Sequence, residues 1–165
     1  MHFAARLAIA AIVAWGCRQP AAHAAWSGFD QPVDRLCSFG SPLRERYAAI
    51  VIAGRFETGS ARAKPIYSLV FTANDGTPEI STLDIRVDGR DVARFDAVSH
   101  VPSSSGASAV VTLDTDLLGT LFRATDNGKV LHIMAPAPLP SYDFDLAGFA
   151  TAADGFTDCM LRNAP

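Results

Sequence analysis

Four groups of side chains in this sequence are of types that can do chemistry. They are the histidines His100 and His132, the run Ser103-Ser104-Ser105, the acid pairs Asp114/Asp116 and Asp143/Asp145, and the cysteines Cys17, Cys37 and Cys159. A histidine beside serines suggests a nucleophile with its base. Yet no Gly-x-Ser-x-Gly elbow is present, and three serines before Gly106 read as a loop. His132 lies in the apolar run Val130–Met134 with no second ligand at metal spacing, so it either faces solvent or is a hydrogen-bonded core residue. The Asp-x-Asp pairs lack the further ligands and the bidentate Glu of a calcium loop. Asp114/Asp116 read instead as helix caps, and Asp143/Asp145 as the polar face of a strand. Carboxylates that meet only in space leave one route to hydrolysis open. No phosphate-cradling or dinucleotide glycine pattern occurs, so no catalytic, cofactor-binding or metal-binding residue is assigned and no cofactor is expected.

The cysteines say more. Residues 1–24 run from a basic start (His2, Arg6) through the apolar stretch Leu7–Trp15 to Ala22-His23-Ala24. That is the layout of a cleavable secretory signal, with small residues where a signal peptidase reads. The apolar stretch is about half the ~20 residues that span a bilayer, so no membrane span is expected. Cys17 falls inside this leader, and the competing reading makes it a lipidated N-terminus. Against that stands the bulky Trp15 two residues before it. On either reading Cys37 and Cys159 remain for a single domain, residues 25–165, and the oxidising compartment implied by export pairs them in a disulfide. In the chain-entropy description such a long closed loop removes about 5 kcal/mol of unfolded-state freedom, a large share of a typical domain stability of roughly 5–15 kcal/mol. Two buried free thiols are the alternative. A redox-active pair is disfavoured, because no Cys-x-x-Cys spacing exists to lower a thiol pKa.

Charge narrows the partners. The chain carries 14 Lys+Arg against 17 Asp+Glu, and Arg6 and Arg18 leave with the leader, giving 12 − 17 = −5 for the remainder. A mildly acidic surface with scattered basic residues suits neither nucleic acid nor anionic lipid. Abundant aliphatic residues with few charges describe a folded core.

Short apolar runs separated by turn residues then set the elements. Trp26 to Cys37 reads as irregular; Trp26, Phe29 and Phe39 gather around Cys37 as core aromatics, with an exposed binding patch as the other possibility. Residues 46–53 and 66–73 read as strands, and Asn74-Asp75-Gly76 as a turn. Strand 79–87 shows a period of two through Leu83, Ile85 and Val87. Asp88-Gly89 is a hairpin signal into strand 91–98, whose imperfect alternation points to a bulge. Residues 101–106 read as a loop and 107–113 as a strand. Leu117, Leu118, Leu121 and Phe122 predict a helix over 116–124, ended by Asp126-Asn127-Gly128. Strands 130–134 and 142–146 follow, the prolines of 135–140 breaking the first. Phe149, Ala152, Ala153, Phe156, Cys159 and Met160 form one stripe of a final helix that Gly155 weakens. Seven short, mostly antiparallel strands and two short helices near the C-terminus predict an α+β protein, a β-sandwich or a partly closed barrel.

Four segments also carry a family likeness. Leu117-Leu118-x-x-Leu121-Phe122, then Asn127-Gly128-Lys129-x-Leu131, then Phe144-Asp145-Leu146-x-Gly148-Phe149-x-x-Ala152, preceded by Val87-Asp88-Gly89, resemble the ending of the invasion-associated locus B family of proteobacterial periplasmic proteins. The likeness covers about residues 83–159. Family members commonly carry further cysteines in mid-domain, and this chain has none there. The resemblance implies a periplasmic or surface-exposed protein, linked in some members to host-cell colonisation. It implies no catalytic residues. The expectation is therefore a non-enzymatic binding protein of the periplasm or cell surface, with an envelope or host protein as partner. A periplasmic hydrolase using dispersed carboxylates, or an enzyme inhibitor built on loop 101–106, is the alternative.

Overall fold

Alternation dictates the sheets. In the computed structural model, which describes residues 26–31, 35–43, 48–57, 64–73, 80–103, 106–136 and 140–165, strand after strand buries every second side chain. Strands β1 (Ser27–Gln31), β2 (Leu36–Leu43), β3 (Ala48–Phe56) and β4 (Pro65–Ala73) run as an antiparallel meander. The hairpin β5 (Leu83–Val87) and β6 (Arg90–Phe95) then belongs to a different sheet. Strands β7 (Ser99–Ser103) and β8 (Gly106–Leu113) return to the first, where β8 pairs with β4. Helix α1 (Thr115–Thr125), strands β9 (Val130–Met134) and β10 (Ser141–Asp145), and helix α2 (Phe149–Asn163) complete the order. The result is a six-stranded sheet, β1-β2-β3-β4-β8-β7, and a four-stranded one, β10-β9-β5-β6, antiparallel throughout.

Neither sheet closes on itself, so of the two expected architectures the sandwich is found. Its filling is Phe39, Ile50, Ile52, Leu69, Phe71 and Val111 from one sheet against Leu83, Ile85, Leu131, Ile133, Tyr142 and Phe144 from the other. Phe71 and Tyr142 meet edge to face across the interface, ring centres 4.9 Å apart. The helices plug one end. There Trp26, Phe39, Phe122, Phe149 and Phe156 form a continuous aromatic cluster with centroid separations of 4.7–6.4 Å. Gly54 on β3 lets α2 approach. A Cβ there would lie 2.8 Å from Phe156 Cζ and 2.9 Å from Met160 Sδ.

Cys159 on the buried stripe of α2 is bonded to Cys37 on β2, with Cα atoms 5.8 Å apart across 122 positions of sequence. Asp114 caps α1, its carboxylate accepting from the Leu117 N–H at 2.7 Å, as the acid before the leucine stripe predicts. The aromatics Trp26 and Phe39 are core rather than a binding patch.

Three expectations need correction. The described residues between Trp26 and Cys37 are largely strand rather than irregular: β1 and the start of β2 occupy them, because pairing of β1 with β2 and of β2 with β3 supplies order that the local sequence does not. Residues 101–103 and 106, expected in a loop, are strand instead, since Val101, Pro102 and Ser103 pair with Ser108, Ala107 and Gly106. Ten strands, not seven, are present among the described residues. The predicted bulge is real: Ile85 pairs with Ala93 but Arg86 with Asp91, leaving Val92 as the extra residue. The leader, Cys17, Asn74-Asp75-Gly76 and Ser104-Ser105 lie outside the described residues, as does the Phe29 side chain.

Candidate functional site

Of the side chains able to do chemistry, His132 and the pair Asp143/Asp145 lie on the outer face of the four-stranded sheet, among further charged residues. Because its inner residues are Leu83, Ile85, Val87, Leu131, Ile133, Tyr142 and Phe144, the alternate positions face outward. Strand register then aligns Asp143, His132, Arg86 and Asp91 in one row across β10, β9, β5 and β6. A second row holds Ser141, Met134, Asp84 and Arg94. Opposite charges thus sit directly across from one another, the arrangement that stabilises adjacent strands.

The rows are held by contact. His132 Nδ1 lies 2.8 Å from Asp143 Oδ1 and donates to it, a carboxylate being acceptor only. Arg86 Nε sits 2.6 Å from Asp91 Oδ1, shielded from solvent but off the line a hydrogen bond needs, so that contact is ionic. Arg94 Nε donates to Asp96 Oδ1 at 2.9 Å, and its Nη1 lies 3.7 Å from Asp84 Oδ1. The hydrogen bond to the Asp96 carboxylate, aided by the nearby Asp84 charge, holds the guanidinium proton still more firmly than usual. Exposed pairs of this kind contribute less than about 1 kcal/mol each, so their main effect is to fix where charge is displayed.

Beside these rows the chain forms a polar junction. Asp88 and Gly89 both take positive φ, 49° and 79°, as a two-residue hairpin turn of this hand requires. The Asp88 carboxylate accepts from the backbone N–H of Lys129 (3.1 Å) and Val130 (3.0 Å), while its own N–H donates to the Val130 carbonyl at 3.0 Å. Those backbone donors hold its carboxyl below the ordinary aspartate range. The Leu146 N–H in turn donates to the Lys129 carbonyl at 2.9 Å. Gly128 sits where a Cβ would come within 2.5 Å of Val87 and 2.9 Å of Leu146. Three segments of the family likeness, Val87-Asp88-Gly89, Asn127-Gly128-Lys129 and the one that includes Leu146, therefore meet at a single packing junction. Nothing in the one-dimensional pattern announced that meeting.

A shallow, open hollow lies against the junction, lined by Gly128, Lys129, Val130, Asp143, Asp145, Leu146 and Ala147. Its two acids are engaged: Asp143 with His132, and Asp145 with the Ala147 N–H at 2.8 Å. Asp143/Asp145 thus lie on the outer face of a strand, as their spacing indicates. His132 takes the outward, hydrogen-bonded position. His100 is exposed on β7, in the other sheet, so the two histidines do not combine. Among the described residues no group of three or more His, Cys, Asp or Glu side chains is placed to hold a metal. No described helix is long and apolar enough to cross a membrane.

The outer face of the six-stranded sheet is of opposite character. One row, Ser27, Gly40, Val51, Val70, Val110 and Ser99, crosses all six strands. The flanking rows are Pro42, Ala49, Thr72, Ser108 and Val101, and Ser38, Ala53, Ser68 and Thr112. None of these positions carries charge. The Thr72 and Ser108 hydroxyls bond to each other at 2.8 Å.

No family model, no curated protein and no solved structure matches the chain.

Proposed function

We propose that the protein is an exported, non-enzymatic binding protein of the bacterial periplasm or cell surface, acting through protein–protein contact in the cell envelope. The observation that carries this reading is the charged outer face of the four-stranded sheet. Its acids and bases are held in fixed rows by register and by mutual pairing, on an open surface. An ordered charge pattern of that kind selects a complementary partner and steers its approach. The disulfide supports export, because such bonds persist outside the reducing cytosol. The leader and the likeness to the invasion-associated locus B family point to the same compartment.

Photo-crosslinking in intact cells tests the reading. A crosslinking residue placed at Asp91 or Asp143 is expected to trap one envelope or host protein reproducibly. The adduct should fade when Arg86 and Arg94 are both changed to Glu. Recovery of uncrosslinked protein alone from both positions overturns it.

A further inference from the structure

We propose that the outer face of the six-stranded sheet is a self-association surface on which two copies of this chain stack face to face. This surface is separate from the charged face of the four-stranded sheet, and the proposal does not depend on the partner sought there.

The occupant follows from charge. The chain is net acidic, −3 in full and −5 without residues 1–24. Exposed acids populate the other described faces: Asp116 and Asp126 about α1, Asp154 and Asp158 along α2, and Asp91 and Asp143 on the four-stranded sheet. Two identical copies meeting through any of those faces would bring like charges together or strip water from them, and both cost free energy. The rows centred on Val51, Val70 and Val110 contain no ionisable group; Arg55 lies at their margin. A charged partner finds no counter-charge there. A second copy of the same uncharged face meets no repulsion and desolvates no ion.

Shape and size agree. Two-fold pairing makes the interface self-complementary, which requires a surface that can face itself. Small side chains on a regular antiparallel sheet provide one, since stacked sheets pack about 10 Å apart with strands inclined by about 30°. Strands β2, β3, β4 and β8 have 8, 9, 9 and 8 residues, and the edge strands β1 and β7 have 5 each. At about 3.3 Å per residue and about 4.8 Å between strands, the face covers about 700 Å². That is close to the ≈ 800 Å² each partner contributes to an interface of standard size. Ser108 is already buried and its hydroxyl is bonded to that of Thr72, so covering the face adds little desolvation at this pair.

Sedimentation equilibrium of the processed protein, from about 1 to about 100 μM, is the test, a range in which an interface of this size registers. The expected result is a concentration-dependent dimer. Val70→Glu should weaken it at least about tenfold, because two carboxylates would be buried against each other. Asp154→Lys, on the exposed side of α2, should leave dissociation unchanged. An equimolar mixture of Val70→Lys and Val70→Glu chains should recover association that neither shows alone. Val110→Thr, which keeps the β-branched shape, gives a milder weakening and a check that does not depend on the charged variants folding. A wild-type chain that stays monomeric throughout, or a dimer indifferent to all substitutions at Val70 and Val110, overturns the proposal.

Discussion

The two outer faces of this sandwich obey one folding rule and end in opposite chemistry. Both sheets bury alternate side chains, so both turn the remaining set outward. On β5, β6, β9 and β10 that set is Asp84, Arg86, Asp91, Arg94, His132 and Asp143, paired across strands. On β2, β3, β4 and β8 it is mainly Val, Ala, Ser and Thr, with Gly40 and Pro42 on β2 and Arg55 and Ile66 at the margin. Register forces the first set into a display of fixed charge and leaves the second as a smooth surface. The supports differ too. The six-stranded sheet is held against α2 by apolar packing and a covalent bond, whereas the rim of the four-stranded sheet is held by backbone hydrogen bonds to one carboxylate.

That difference in support can be broken selectively. The largest effect is expected from Cys37→Ala with Cys159→Ala, which frees α2 from β2 and should cost about 2–5 kcal/mol in urea unfolding. An unchanged midpoint would show that packing alone holds the helix. Gly54→Ala comes next. Its Cβ would press on Phe156 and Met160 in a filled core, so a loss of about 1–3 kcal/mol is expected by thermal or urea melts.

On the other sheet Asp88→Asn should act locally. Asn keeps the tolerance for positive φ but not the charge, so the Lys129 and Val130 amides should exchange hydrogen faster while the global melt moves little. The pH dependence follows from the lowered folded pKa. The Asp88 contribution is present above the unfolded aspartate value of about 3.9 and is lost as pH falls through the lower folded value. Protection of those two amides should therefore fall with acid in the wild type and stay flat in Asp88→Asn. Smallest of all, His132→Ala should change stability by less than about 1 kcal/mol, because its bond to Asp143 is a partly exposed cross-strand pair. A larger loss would show that the charged row carries structure rather than display.

Much of the architecture was legible in the residues. The period of two in Leu83, Ile85 and Val87 gave β5, the stripe from Phe149 to Met160 gave the buried side of α2, and Asp88-Gly89 gave the hairpin between β5 and β6. Strands β1, β2 and β7 were not legible. Gly28, Gly40, Pro42 and Pro102 weaken any local strand signal, and only ladder bonds to neighbouring strands hold these segments extended. For the candidate site, the spacing of Asp143 and Asp145 showed a strand face, yet the partnership of Asp143 with His132 required the β9–β10 register.

What the sequence determined by itself, then, is which side chains are inward or outward within an element and, with Cys17 read as part of a leader, that Cys37 and Cys159 are the pair expected to bond. Those follow from local periodicity and from counting. Which strands become neighbours was decided only in three dimensions, because the hairpin β5–β6 leaves one sheet and β7 rejoins it. That choice maximises burial summed over the whole chain and leaves no mark on any short window. Through it the outward charges came together in rows on one face, and the uncharged residues on the other.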